Sequence, residues 1–238
     1  MISNKLKSSI LISHGFSSGP SSVQDLGEYL QQKNFNVVIP LLPGHCTEWK
    51  DLGKVTCEDW ISTLEKAFED LLKTSEKIHL IGLSLGASLA PVIANKFPEK
   101  TATISFISGP FKVAFLHRLA SILGKPFLKS MKGIGGDIKN PDKKEIFYHR
   151  IPFNAFAELF KAIDLGRENL SSVKVPVRLF YSENDHIVPK INRKIALNEL
   201  GSQDKKLKVY QNSYHVLTLD NDAPELFRDI EEFINQYD

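Results

Sequence analysis

Cysteine is scarce: Cys46 and Cys57 are the only two in 238 residues. Two thiols cannot build a disulfide framework or a cysteine-based metal cluster, and they point to a reducing compartment. An excess of either charge is also missing. Thirty Lys and Arg face 28 Asp and Glu, for a formal net charge of +2, and no basic stripe marks a nucleic-acid partner. Lys132, Lys139, Lys143 and Lys144 make a mildly basic stretch that reads as solvated surface. No apolar run approaches the ~20 residues of a membrane span. The longest candidate, from Ala102 to Leu116, is broken by Gly109, Pro110 and Lys112. Lys5 and Lys7 precede Ile10-Leu11-Ile12, a run too short for a secretory signal core. Internal repeats and low-complexity tracts are absent too. The expectation is a soluble, cytoplasmic protein without stable membrane insertion, nucleic-acid partner, metal or organic cofactor.

What is present is alternation. Short β-branched or apolar runs at 9–13, 36–40, 78–82, 103–108, 177–182 and 207–211 are separated by helical patterns at 23–33, 57–72, 84–97 and 224–237. In the second helix Trp60, Leu64, Ala67, Phe68, Leu71 and Leu72 share one stripe; in the last, Leu226, Phe227, Ile230, Phe233 and Ile234 do. Strands spaced by helices predict an α/β fold, a mostly parallel sheet of about six to seven strands flanked by helices. One region breaks the pattern. Between Phe111 and Val173 there is no clean strand, only helical fragments at 114–123, 126–131 and 154–165 and a Gly/Lys/Asp-rich stretch at 132–144. This predicts a small helical cap, residues 111–172, inserted into a single domain of 1–238.

Chemistry concentrates at Ile78-His79-Leu80-Ile81-Gly82-Leu83-Ser84-Leu85-Gly86. An apolar strand ends in Gly-x-Ser-x-Gly and a helix follows, the order a nucleophile elbow requires. With 14 Gly and 21 Ser in the chain, chance supplies about 0.07 such motifs, so the pentapeptide alone does not decide and its partners must be found. A serine hydroxyl needs a base, and the base needs an orienting carboxylate, both in loops after later strands and in the order Ser, acid, His. Asp185 follows the run Val177-Arg178-Leu179-Phe180-Tyr181, and His215 follows Leu207-Lys208-Val209-Tyr210. Glu183 is a rival acid, but Asp185 lies closer to the anchoring Ile187-Val188-Pro189. His186 adjoins Asp185 too closely to share its target. Asp220 and Asp222 lead into the last helix, with Asp222 a candidate cap before Pro224. Two backbone N–H groups must meet the developing oxyanion: that of Leu85 after the nucleophile, and that of Phe16 in the loop Ser13-His14-Gly15-Phe16. His14 reads as a structural hydrogen-bonder.

Together these residues resemble the α/β-hydrolase family, nearly end to end, from Leu11-Ile12-Ser13-His14-Gly15-Phe16 to Ser213-Tyr214-His215-Val216. Small bacterial carboxylesterases and monoacylglycerol lipases carry a His-Gly-Phe loop, a Gly-Leu-Ser-Leu-Gly elbow and an Asp-x-x-Val-Pro acid loop. Leu41-Leu42-Pro43-Gly44-His45, Asp59-Trp60 and the segment Leu170 to Val177 are similar as well. The resemblance implies an α/β-hydrolase fold with a helical cap, Ser84, Asp185 and His215 as catalytic residues, and the amides of Phe16 and Leu85 as oxyanion donors. Two positions depart from it: Cys46 and Ala87 stand where many relatives carry Gly.

The function expected is a serine carboxylesterase that hydrolyses short- to medium-chain esters, a small-molecule substrate, through a Ser84 acyl-enzyme. Phe16, Phe111, Phe115 and Ile187 are the candidate acyl-pocket residues, with Leu119, Ile122, Leu123, Phe127, Phe153, Phe156 and Phe160 available from the cap. Monoacylglycerol lipase, lysophospholipase and acyl thioesterase activities use the same residues. A ligand-binding protein that kept the hydrolase shell is the non-enzymatic alternative, and oligomeric state is not legible.

Overall fold

The computed structural model describes residues 5–113 and 129–238. Eight strands are present among them: β1 (Leu6–Ser13), β2 (Val37–Val38), β3 (Ser75–Leu83), β4 (Thr101–Ile107), β5 (Ser130–Lys132), β6 (Arg150–Pro152), β7 (Val177–Ser182) and β8 (Lys205–Tyr210). The α-helices are α1 (Gln24–Gln32), α2 (Cys57–Leu72), α3 (Leu85–Lys96), α4 (Phe153–Asn169), α5 (Ile191–Glu199) and α6 (Ala223–Asn235). Six strands form one sheet in the order β2-β1-β3-β4-β7-β8, and every neighbouring pair is parallel.

The strands read as near-continuous apolar runs because both faces are covered. Leu11, Leu80, Ile104, Phe106 and Leu179 pack in one core with Trp60, Phe68, Leu89 and Ile163, so α2, α3 and α4 lie on that face. Ile10, Ile12, Ile81, Ile107 and Phe180 point the other way, against Leu26 and Leu30 of α1 and Leu226 and Ile230 of α6. The stripe expected on α2 is seen, with Trp60, Leu64, Phe68 and Leu71 buried. Thr56 starts that helix through a reciprocal cap, accepting from the Asp59 N–H while Asp59 accepts from the Thr56 N–H. Asp222 stands at the start of α6 but does not cap it. Its carboxylate accepts instead from Asn212 N (2.9 Å) and Ser213 Oγ (2.8 Å).

Strand order places the site. The chain steps outward from β1 to β2 and then returns across β1 to β3, so the order of strand succession reverses between β1 and β3. The crevice beyond the strand ends at such a reversal is where α/β proteins bind ligands. Ser13, the last residue of β1, is in register with Gly82 of β3, so the loops after the two strands emerge side by side.

Two expectations are corrected. The segment between β4 and β7 does contain strands: β5 and β6 pair antiparallel as a ribbon, and Met131 lies in β5 rather than in a helix. These strands are three residues long and carry Lys132, Arg150 and Pro152, so no alternation announces them. The helix expected at 114–123 and most of that at 126–131 fall outside the described residues. The third fragment is a longer helix, α4. Its Gly166 sits so close to α3 that an added Cβ would fall 2.2 Å from Ser88 O. The second correction is α5, which was not anticipated. Its buried Asn192 and Arg193 interrupt the apolar stripe: Asn192 Oδ1 accepts from Phe111 N and Lys112 N (2.7 Å each), and Arg193 pairs with Glu183. Among the described residues no helix is long and apolar enough to cross a membrane.

Candidate active site

The elbow's glycines are required by contact. A Cβ on Gly82 would lie 2.3 Å from the Gly86 backbone, and one on Gly86 would lie 2.3 Å from Ser13 O. Between them Ser84 adopts φ 53, ψ −110, a region that a side-chain-bearing residue enters only under constraint. The turn lifts the half-buried hydroxyl to the sheet's edge.

Both expected partners meet it. His215 Nε2 lies 3.1 Å from Ser84 Oγ, and His215 Nδ1 lies 2.9 Å from Asp185 Oδ2. Asp185 Oδ1 accepts from Ile187 N and Val188 N at 2.8 Å each, so the apolar Ile187-Val188 step does anchor the acid loop. The His215 loop is held from below by Ser108 Oγ, which donates to His215 O at 2.8 Å. Burial alone would depress the His215 pKa. The Asp185 carboxylate and its hydrogen bond, helped by Glu145 and Asp137, outweigh that and hold it above the ordinary 6.5. For Asp185, burial pushes upward, but His215 and the two backbone donors prevail and keep the carboxyl below its usual value. The pair therefore favours carboxylate beside a histidine whose Nδ1–H donates to it, leaving Nε2 to accept from Ser84.

The rivals are engaged elsewhere. Glu183 pairs with Lys190 and with Arg193. His186 meets Asp137 Oδ1 at 2.7 Å through Nδ1 and packs edge-on against Tyr214. The amides of Phe16 and Leu85 have no hydrogen-bond partner among the described residues. Leu85 is the first residue of α3, where an N–H has no intrahelical acceptor and the helix dipole favours negative charge.

His14 is structural, as expected. It is fully buried, with Nδ1 against Gly15 O (2.9 Å) and Nε2 accepting from Leu42 N (3.1 Å). His45 packs 4.9 Å from it. Burial, with His45 adding repulsion, lowers the His14 pKa to about 3; burial takes His45 to about 4 and His79 to about 4. Their folded values lie below the unfolded 6.5, so an unfolded chain takes up protons first. Their contribution to stability is complete above pH 6.5 and is lost as pH falls from there toward 4. The slope is on the order of 1.4 kcal/mol per pH unit for each histidine. Denaturant titrations at pH 7 and pH 5 check this. His79→Gln should flatten the dependence, and an unchanged unfolding midpoint between the two pH values would contradict it.

Ser84 and His215 open into a cleft of about 140 Å³ walled by Phe16, Pro110, Val113, Leu159, Phe160, Ile163, Ile187 and Val188, among others, with Lys112 and Glu145 as its charged members. Phe16 and Ile187 line it. Phe111 does not: it is fully buried and stands 5.3 Å from Phe106 in the core, while its neighbours Pro110, Lys112 and Val113 face the cleft. Phe115, Leu119, Ile122, Leu123 and Phe127 lie outside the described residues. Phe156 packs behind Phe16 (5.8 Å) rather than in the cleft. Glu145 was missed because nothing in its sequence neighbourhood marks it. Burial raises its carboxyl pKa, opposed by the Gly136 N–H at 2.6 Å. Cys46 is exposed and Cys57 buried, and both are free thiols; burial pushes the Cys57 thiol up to about 12. Cys46 has φ 55, the left-handed conformation glycine adopts freely. Among the described residues no group of three or more His, Cys, Asp or Glu could hold a metal ion.

A family model described as Hydrolase_4, serine aminopeptidase S33, matches residues 4–222. The chain belongs to this family of α/β-hydrolases. It is 29% identical over 228 residues to a thermostable monoacylglycerol lipase of Bacillus sp. (strain H-257), covering 96% of this chain and 90% of that one. It is 26% identical over 230 residues to a carboxylesterase of Bacillus subtilis (strain 168), covering 96% and 93%. A solved structure described with two metagenome-derived lipolytic enzymes superposes with a TM-score of 0.93 at 31% identity, covering 98% of this chain and 96% of that one. The α/β-hydrolase is thus a serine hydrolase of the esterase and lipase group.

Proposed function

We propose that this α/β-hydrolase cleaves short- to medium-chain carboxylic esters through an acyl-enzyme on Ser84. The observation that carries the reading is the unbroken row from Ser84 Oγ through His215 to Asp185, opening on a mainly apolar cleft. Neutral His215 takes the Ser84 proton as the hydroxyl oxygen adds to the ester carbonyl carbon. The oxyanion is met by the N–H groups of Phe16 and Leu85. Collapse breaks the bond to the alcohol oxygen, and His215 passes its proton to the departing alcohol. Water then adds to the acyl carbon, giving its proton to His215, and the free acid leaves as Ser84 regains that proton.

The cleft's volume is small beside the roughly 300–1,000 Å³ of drug-sized sites, which supports a modest acyl chain against Leu159, Phe160 and Ile163. Glu145 offers an acceptor to a hydroxyl on the alcohol side. That pairing, with the relative described as a monoacylglycerol lipase, makes monoacylglycerol the specific substrate we favour. The test is an acyl-length series of chromogenic esters, with matched thioesters and a fluorophosphonate probe. The expected result is a maximum of kcat/KM at short to medium esters, with the probe attached to Ser84. Preference for thioesters would move the assignment to acyl thioester hydrolysis. No turnover and no labelling would leave the binding-protein reading in its place.

A further inference from the structure

The stretch 133–149, between β5 and β6, contains Lys139, Lys143 and Lys144, which read in the sequence as solvated surface. In the structure it runs across the loops that follow β1, β2, β7 and β8. Ser17 Oγ donates to Ile134 O (2.5 Å), and Tyr148 N donates to Ser17 O (2.9 Å). The Tyr148 hydroxyl donates to Gly44 O (3.1 Å) and accepts from Thr47 N (2.8 Å). At the middle of the stretch, Asp137 Oδ2 accepts from His215 N (3.1 Å) and from His186 N (3.2 Å). Its other oxygen meets His186 Nδ1, and its backbone carbonyl accepts from Val216 N (3.1 Å). Asp220 reciprocates from the far side. Its buried carboxylate accepts from Lys139 N (2.8 Å) and Asn140 N (3.0 Å) of the stretch and from Tyr214 N (2.7 Å) beside His215.

We propose that Asp137 is a positioning residue for the ester hydrolysis assigned above: its carboxylate ties the His215 loop to the Asp185 loop so that the imidazole stays in line with Ser84. The proposal rests on that functional reading. Its physical basis is that the two loops leave different strands, β7 and β8, and beyond the strand ends their backbone amides converge on this one carboxylate. Misplacing a catalytic group by about 1 Å costs on the order of 10²-fold in rate. The same carboxylate also acts at a distance on His215. The groups facing that imidazole are Asp185 from the acid loop and Asp137 and Glu145 from the stretch, with His186 beyond Asp137 and Lys112 lining the same cleft. Removing one negative charge should make His215 easier to deprotonate.

The test compares wild type, Asp137→Ala, Asp137→Asn and Ser84→Ala on one chromogenic ester across pH, with thermal melts to measure the folded fraction. Asp137→Ala is expected to lower kcat about 10- to 100-fold with KM within about threefold. Asp137→Asn, whose amide oxygen can still accept from both backbone N–H groups, should recover kcat to within about fivefold of wild type. It should also move the acid limb of kcat/KM to lower pH. Purely structural support would not move that limb. The role is overturned if Asp137→Ala keeps wild-type kcat and limb, or if activity falls only in proportion to the folded fraction. Should Asp137→Ala fail to fold, an unmoved limb in Asp137→Asn overturns it. An inactive Ser84→Ala beside an unimpaired Asp137→Ala removes the positioning role alone, whereas an active Ser84→Ala removes the underlying assignment and this role with it.

Discussion

Ser84→Ala is expected to lower kcat for a chromogenic ester by about 10⁴- to 10⁶-fold with little change in KM. The hydroxyl lies 3.1 Å from His215 Nε2, and alanine leaves the imidazole with nothing to deprotonate except water. The cleft walls are untouched, so substrate still binds. Alanine keeps the Cβ of serine and so the same backbone constraint at φ 53, which means folding should be unaffected. Ser84→Gly separates the two properties. It should be equally inactive yet more stable, by on the order of 1 kcal/mol, because glycine occupies that conformation without strain. Retention of more than about 1% of wild-type kcat in Ser84→Ala would sink the nucleophile assignment.

Asp185→Asn should cost about 10⁴-fold in kcat. The carboxylate accepts the Nδ1 proton of His215 at 2.9 Å. An amide there can present N–H to Nδ1, which transfers the ring proton to Nε2 and blocks the acceptor Ser84 needs. A second readout is the pH profile. His215 must be neutral to act, so kcat/KM should rise with pH through a value above 6.5 in wild type. Without the carboxylate, burial is no longer outweighed, and the residual activity of Asp185→Asn should rise at lower pH. Glu183→Gln is the control. Because Glu183 pairs with Lys190 and Arg193, it should leave both rate and limb near wild type. A comparable loss from that variant would reopen the choice of acid.

The sheet and the Ser84 row were legible because each leaves a local mark. Apolar runs such as 177–182 signal strands buried on both faces, and Gly82 and Gly86 mark a turn that no larger residue fits. Asp185 and His215, which the structure brings to Ser84, were legible by rank order along the chain, since each follows a strand. What was not legible depends on contacts made far along the chain. Strands lengthened where partners lent them ladders, as Leu6 does against Ser75. Helix α5 hid behind Asn192, whose polar side chain is buried because it binds Phe111 N and Lys112 N. Asp137 sits among Gly and Lys residues that look solvated, and its carboxylate is engaged with His215 N and His186 N, 78 and 49 positions away. Phe111 carried the right chemistry for a pocket wall, but backbone direction sent it into the core.

The Gly166 contact with Ser88 has a consequence for how this cleft would be retuned. Helix α4 supplies Leu159, Phe160 and Ile163 to one wall, and it is seated backbone to backbone on the helix that begins beside Ser84. That wall therefore keeps a fixed distance from Ser84, like the stop on a gauge. Widening or narrowing that side of the cleft becomes a matter of side-chain size at Leu159, Phe160 and Ile163, with no need to reset the scaffold that holds the Ser84 hydroxyl.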